Sequence, residues 1–135
     1  MEIKITFPGN KKVFADTGEF IIQTDQSIDN GGDATAPSPY TYFLSSIGTC
    51  AGIYVLSFCR KRDIPTDGIS IVQKMEYKKN EKGKEELHKI VLELILPADF
   101  PEKYIDAVKK SAGLCSVKET IMNPPQLDIV ARISE

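Results

Sequence analysis

The sequence predicts an α+β fold, and three observations carry that prediction. Ser38–Arg62 is apolar over a length only a helix fills, and it is bounded by helix start and stop residues. The segments on both sides alternate apolar and polar residues with the two-residue period of half-buried strands. Turn residues separate those segments closely, so antiparallel connections are expected.

Along the chain, Ile3, Ile5 and Phe7, then Val13 and Ala15, then Phe20, Ile22 and Thr24 read as a three-stranded meander. Pro8-Gly9-Asn10 and Thr17-Gly18 supply its turns. Asp25 to Pro37 is polar and rich in Gly, Asp and Asn; a loop of that length in a compact domain is often functional or docks a partner. Its Gly31-Gly32 lacks the spacing of a phosphate loop and reads as backbone freedom.

The central helix opens with Ser38 as N-cap and Pro39 at the first helical position. It closes on Arg60, Lys61 and Arg62, which suit the negative end of the dipole, followed by Pro65. Tyr42, Phe43, Leu44, Ile47, Ile53, Tyr54, Val55, Leu56 and Phe58 point all round its axis, as in a buried helix. Ser45, Gly48, Thr49, Ala51 and Gly52 leave room for close approach of another backbone or a ligand.

Next comes a hairpin, Ile69 to Tyr77 and His88 to Leu96, turning near Gly83. Asp99 with Glu102 has capping-box spacing for an amphipathic helix carrying Tyr104, Ile105, Val108 and Ala112. Ser116 with Glu119 offers a second capping box, and Leu127, Ile129, Ala131 and Ile133 alternate as a last strand. The order is β-β-β-α-β-β-α-α-β. No repeat or linker interrupts it, so residues 1–135 read as a single domain. A helix apolar on every side needs cover all round, and a second subunit would supply it.

Bulk composition narrows the function classes. A net charge of −2 with 27% charged residues gives no basic nucleic-acid surface and no acidic tail. Serines, glycines and threonine break the longest apolar run, so no membrane span is expected and a cytoplasmic location is. Three cysteines form no dense disulfide framework, there is no Cys-x-x-Cys, and His88 is the only histidine. No metal site and no cofactor are expected.

Cys50 and Cys59 lie in the apolar helix, where a cysteine is most often a small hydrophobe. Cys115 precedes a helix start, where free N–H groups favour thiolate. Two cysteines that meet can cycle through sulfenic acid and a disulfide, but sequence separation does not say whether these do. His88 is in phase with Ile90 and Leu92 and reads as structural; Tyr40, Tyr42 and Phe43 read as core or as the wall of an apolar pocket.

The string PSPYTYFLSSIGTC, residues 37–50, preceded by Gly31-Gly32-Asp33 and followed by SAGLCSV, residues 111–117, resembles the OsmC-like family, which includes the organic hydroperoxide resistance proteins. The resemblance covers nearly the whole chain. It implies an OsmC-like fold with antiparallel sheets around a long buried central helix, in an intertwined homodimer. It further implies a thiol peroxidase for organic hydroperoxides or hydrogen peroxide. Cys50 would attack, Cys115 would resolve, and a lipoyl-type dithiol would recycle the pair.

The chain departs from the family pattern at three places. No arginine precedes Arg60, so Lys11 and Lys12 are the candidate activating charges. Tyr40 and Thr41 stand where a glutamate is usual, and Ser116 replaces a proline. A non-catalytic binding or redox-sensing protein of the same fold is therefore the alternative. In either case a continuous helix puts Cys50 too far from its own N-terminus to feel the dipole. Either Gly48 breaks the helix or the activation comes from elsewhere.

Overall fold

The structure, a computed structural model, describes residues 1–135. They divide into two compact units, Met1–Ser46 and Ile47–Glu135.

In the amino-terminal unit, β1 (Lys4–Gly9), β2 (Lys12–Asp16) and β3 (Ile21–Thr24) form an antiparallel meander in that order. Ala15 lies opposite both Ile5 and Ile22, so the alternating apolar residues fall in one cross-strand row. The loop that follows is organised around the fully buried carboxylate of Asp25. It accepts from the N–H groups of Gln26 (2.8 Å) and Thr35 (3.1 Å) and from the Thr35 hydroxyl (2.6 Å). Thr35 chiefly holds the carboxyl well below the usual carboxylate range. A Cβ on Gly32 would sit 2.1 Å from the Gln26 carbonyl oxygen, so the loop closes only with glycine there.

Helix α1 spans Pro39–Arg60, with the Ser38 hydroxyl accepting from the Thr41 N–H at 3.2 Å. It runs through Gly48 without a break. By length and apolarity alone it is able to cross a bilayer, a property shared with core helices. Its buried residues are Ile47, Ala51, Val55, Phe58 and Cys59, spaced three and four apart on one face. The expected burial on every side is thus corrected for the single chain: Tyr40, Tyr42, Phe43 and Ile53 are exposed, because the chain supplies only enough structure to cover one face.

In the carboxyl-terminal unit that face meets the core. Ala51, Val55, Phe58 and Cys59 cluster with Phe100, Val108 and Ala112, flanked by Ile71, Leu92, Leu94 and Leu96. The last four belong to, or directly follow, the antiparallel hairpin of β4 (Ser70–Lys79) and β5 (Glu85–Ile95). At Gly48 the Gln73 side chain of β4 reaches α1, since a Cβ there would meet its oxygen at 2.7 Å. Small residues on α1 therefore admit a strand of the same chain.

Helix α2 (Ile105–Ala112) follows a short 3-10 turn, and α3 is Ser116–Met122. Both expected capping boxes shift. The turn at 102–104 starts after Pro101, whose ring offers no capping group, and the Phe100 N–H turns back to the Pro97 carbonyl at 3.0 Å. For α3 the cap is Cys115, and Ser116 is the first helical residue. Residues 123–135 form no strand, and Leu127, Ile129 and Ile133 are 80%, 90% and 94% exposed. The alternation is present, but a strand exists only with a neighbour for its N–H and C=O groups, and this chain provides none.

Candidate active site

Two elements of the carboxyl-terminal unit meet at Cys50. Helix α1 carries it at mid-length, half-buried. The junction of α2 and α3 supplies the groups around it. Gly113 ends α2 with its N–H on the Lys110 and Ser111 carbonyls, Cys115 is extended, and its Sγ accepts from the Lys118 N–H at 3.2 Å. With Cys115 as cap, Ser116 is carried onto the first turn of α3. There its Oγ lies 3.8 Å from Cys50 Sγ.

Four donors converge on the Cys50 sulfur and hold its pKa below the usual thiol value. The Val117 N–H acts most strongly, burial opposes it, and the Ser116 hydroxyl, the Cys115 thiol and the Ser116 N–H add to it. The Cys115 thiol is near enough to Cys50 to act on its sulfur, and both cysteines are free. The unbroken helix thus leaves the second route to activation, and part of it comes from α3 of the same chain. Such a sulfur is suited to nucleophilic attack, with a second thiol in place to displace the product.

Cys59 is the opposite case. It is fully buried, and burial pushes its thiol up against the weaker pull of Arg62. Arg62 itself is held by the Phe58 ring, 3.7 Å from its guanidinium, and by the Phe58 carbonyl at 3.1 Å. His88 is exposed in a register shift of the hairpin: Glu76 pairs with Lys89 and Tyr77 with Leu87, leaving His88 as the extra residue and taking it off the apolar face.

The other expected site residues lie in the amino-terminal unit. Lys12 pairs with Asp33 and lies 3.9 Å from Asp25; its bond to Asp33 raises its pKa and lowers that of Asp33. Lys11 runs beside Gly31 of the same loop. Tyr42 donates to the Gln23 carbonyl at 2.9 Å, while Tyr40 and Phe43 stack at 6.1 Å and are about half exposed. Sequence reading did not find Ser116 and Val117. The Ser-x-x-Glu pattern pointed to Ser116 as the cap, a register one residue away from the one that brings its hydroxyl to Cys50.

A long apolar helix, a β-meander before it, a hairpin after it and two neighbouring free thiols define an α+β protein with a paired-cysteine centre. The sequence model for the OsmC-like protein family matches residues 31–130, and the chain belongs to that family. Solved structures share the fold. An OsmC-like protein of unknown function from Vibrio cholerae aligns with a TM-score of 0.66 at 15% identity, over 88% of this chain and 91% of that one. An organic hydroperoxide resistance protein from Elizabethkingia anophelis gives 0.61 at 18% identity, over 92% and 90%. One from Legionella pneumophila gives 0.56 at 15%, over 89% and 87%. No curated protein matches the chain in sequence.

Proposed function

We propose that the protein is a thiol peroxidase that reduces organic hydroperoxides, with Cys50 as the attacking residue and Cys115 as the resolving one. The convergence of the Cys115 thiol and the donors of Ser116 and Val117 on the Cys50 sulfur is the observation that supports it. The Cys50 thiolate attacks one oxygen of R–O–O–H, the O–O bond breaks, and the alkoxide takes a proton to leave as the alcohol. Cys50 is then a sulfenic acid. The Cys115 sulfur attacks the Cys50 sulfur, the S–S bond forms, and hydroxide leaves as water with the Cys115 proton. A dithiol of the lipoyl type returns both cysteines to thiols and is itself oxidised to a disulfide.

The family relation also supports a homodimer in the cytoplasm, with Tyr40, Tyr42 and Phe43 proposed as substrate-binding residues and Lys11 or Lys12 as the activating charge. Apolar side chains exposed on the single chain, Phe7, Phe20, Ile53 and Ile129 among them, are surface for a second copy to cover. The test is hydroperoxide consumption with a dithiol reductant. Turnover that Cys50→Ser abolishes is the expected result. No turnover favours the non-catalytic binding or sensing role instead, and turnover unchanged in that variant contradicts the assignment of Cys50 as the attacking residue.

A further inference from the structure

Between α1, which contributes Ile47, and β5, α2 and α3 the carboxyl-terminal unit has a half-open cavity of about 360 Å³. Alternate residues of β5, Ile90, Leu92 and Leu94, put one apolar face of the strand along it, and Ile121 and Met122 close it from α3. Cys115 touches its wall. The volume lies at the low end of the range of about 300–1,000 Å³ typical of small-molecule sites. Its walls are mostly apolar and offer water few partners.

The charged lining is of one sign. Lys109 on α2 and Lys118 on α3 are its only ionisable residues apart from the cysteine, and no carboxylate answers them there. Lys118 is folded over the α2–α3 junction: its Nζ lies 3.5 Å from where a Gly113 side chain would begin. Two exposed ammonium groups beside an apolar hollow complement a molecule with one anionic end and one aliphatic end. Met122, adaptable in shape, tolerates variation in the chain.

We propose that this cavity binds a medium-length aliphatic carboxylate, the chain against Ile90, Leu92, Leu94 and Ile121 and the carboxylate between Lys109 and Lys118. The site goes beyond the peroxidase reading and does not depend on it, since binding needs neither peroxide nor an active thiol. Its size suits a single short chain rather than a two-chain lipid.

Calorimetric titration of the full chain with decanoate, decanol and decyltrimethylammonium, each below its micelle concentration, tests the assignment. One decanoate per chain is expected, bound more tightly than decanol, with the cationic analogue weakest. Lys109→Gln and Lys118→Gln should each weaken decanoate about fivefold at low salt and leave decanol unchanged. Ile121 is 42% exposed, so Ile121→Glu should keep the thermal unfolding transition while abolishing both ligands. Equal affinity for the three amphiphiles overturns the proposal, as does binding that survives Ile121→Glu. No binding of any of them overturns it too, and is the result a second copy of the chain filling the cavity would give.

Discussion

Cys50 and Cys59 stand on the same helix, nine residues apart, with their thiol pKa values pushed in opposite directions. Both are surrounded in sequence by small and apolar residues, and neither lies near the helix N-terminus. Cys50 is half-buried and faces donors from a distant part of the chain; Cys59 is fully buried against Phe58 and the core of its unit. The helix delivers both sulfurs, and what meets each one decides its chemistry. The lowering of the Cys50 pKa comes chiefly from residues 67 and 66 positions further along the chain, Val117 and Ser116.

The largest effect should be the difference in native-state labelling. With iodoacetamide at neutral pH, Cys50 should react while Cys59 reacts only through opening of the core, slower by at least about 10³-fold. Peptide mass spectrometry after a time course measures both sites in one sample. Similar rates would erase the distinction between them.

Removing one donor should narrow the difference without abolishing it. Ser116→Ala takes the hydroxyl from Cys50 and should slow its labelling about three- to tenfold near neutral pH, with the rate recovered at alkaline pH. Ser116→Thr, which keeps the hydroxyl, should stay near the parent. A slowing that persists at alkaline pH would mean altered access rather than altered ionisation.

A smaller effect belongs to the Cys59 end. Arg62→Ala removes the cation over the Phe58 ring and should cost about 1 kcal/mol of stability, read by denaturant unfolding. Cys50 labelling should not change. An equal loss at both cysteines would show that the two ends of the helix are not independent.

The smallest expected change for the thiols is on the acid side, where Asp25 controls stability. Its carboxyl is depressed in the folded state, so the stability it contributes is present above the unfolded value of about 3.9 and is lost as pH falls below it. Asp25→Asn should flatten the acid limb of the stability curve between about pH 4 and 2. The ratio of Cys50 to Cys59 labelling at neutral pH should stay as it was.

Much of the fold was legible in the sequence because it rests on local signals. Alternation placed the meander and the hairpin, and Ser38-Pro39 placed the start of α1 to the residue. What was not legible depends on partners distant in sequence. Periodicity shows that Leu127–Ile133 can be a strand, but only a neighbouring strand makes it one. Apolarity on all sides of α1 shows a demand for cover, not which part of it one chain meets. At the site, Cys50 and Cys115 were identifiable as candidates, while their proximity and the donors of Ser116 and Val117 follow from a cap one residue away from the one the Ser-x-x-Glu pattern favours.

The central claim is that Cys50 and Cys115 form one redox unit and Cys59 stands outside it. Treating the fully reduced protein with one equivalent of an organic hydroperoxide, then mapping thiols and linked peptides under denaturing, alkylating conditions, tests it directly. The account predicts one remaining thiol, Cys59, and a Cys50–Cys115 disulfide peptide. Three intact thiols, or a disulfide that includes Cys59, would contradict it.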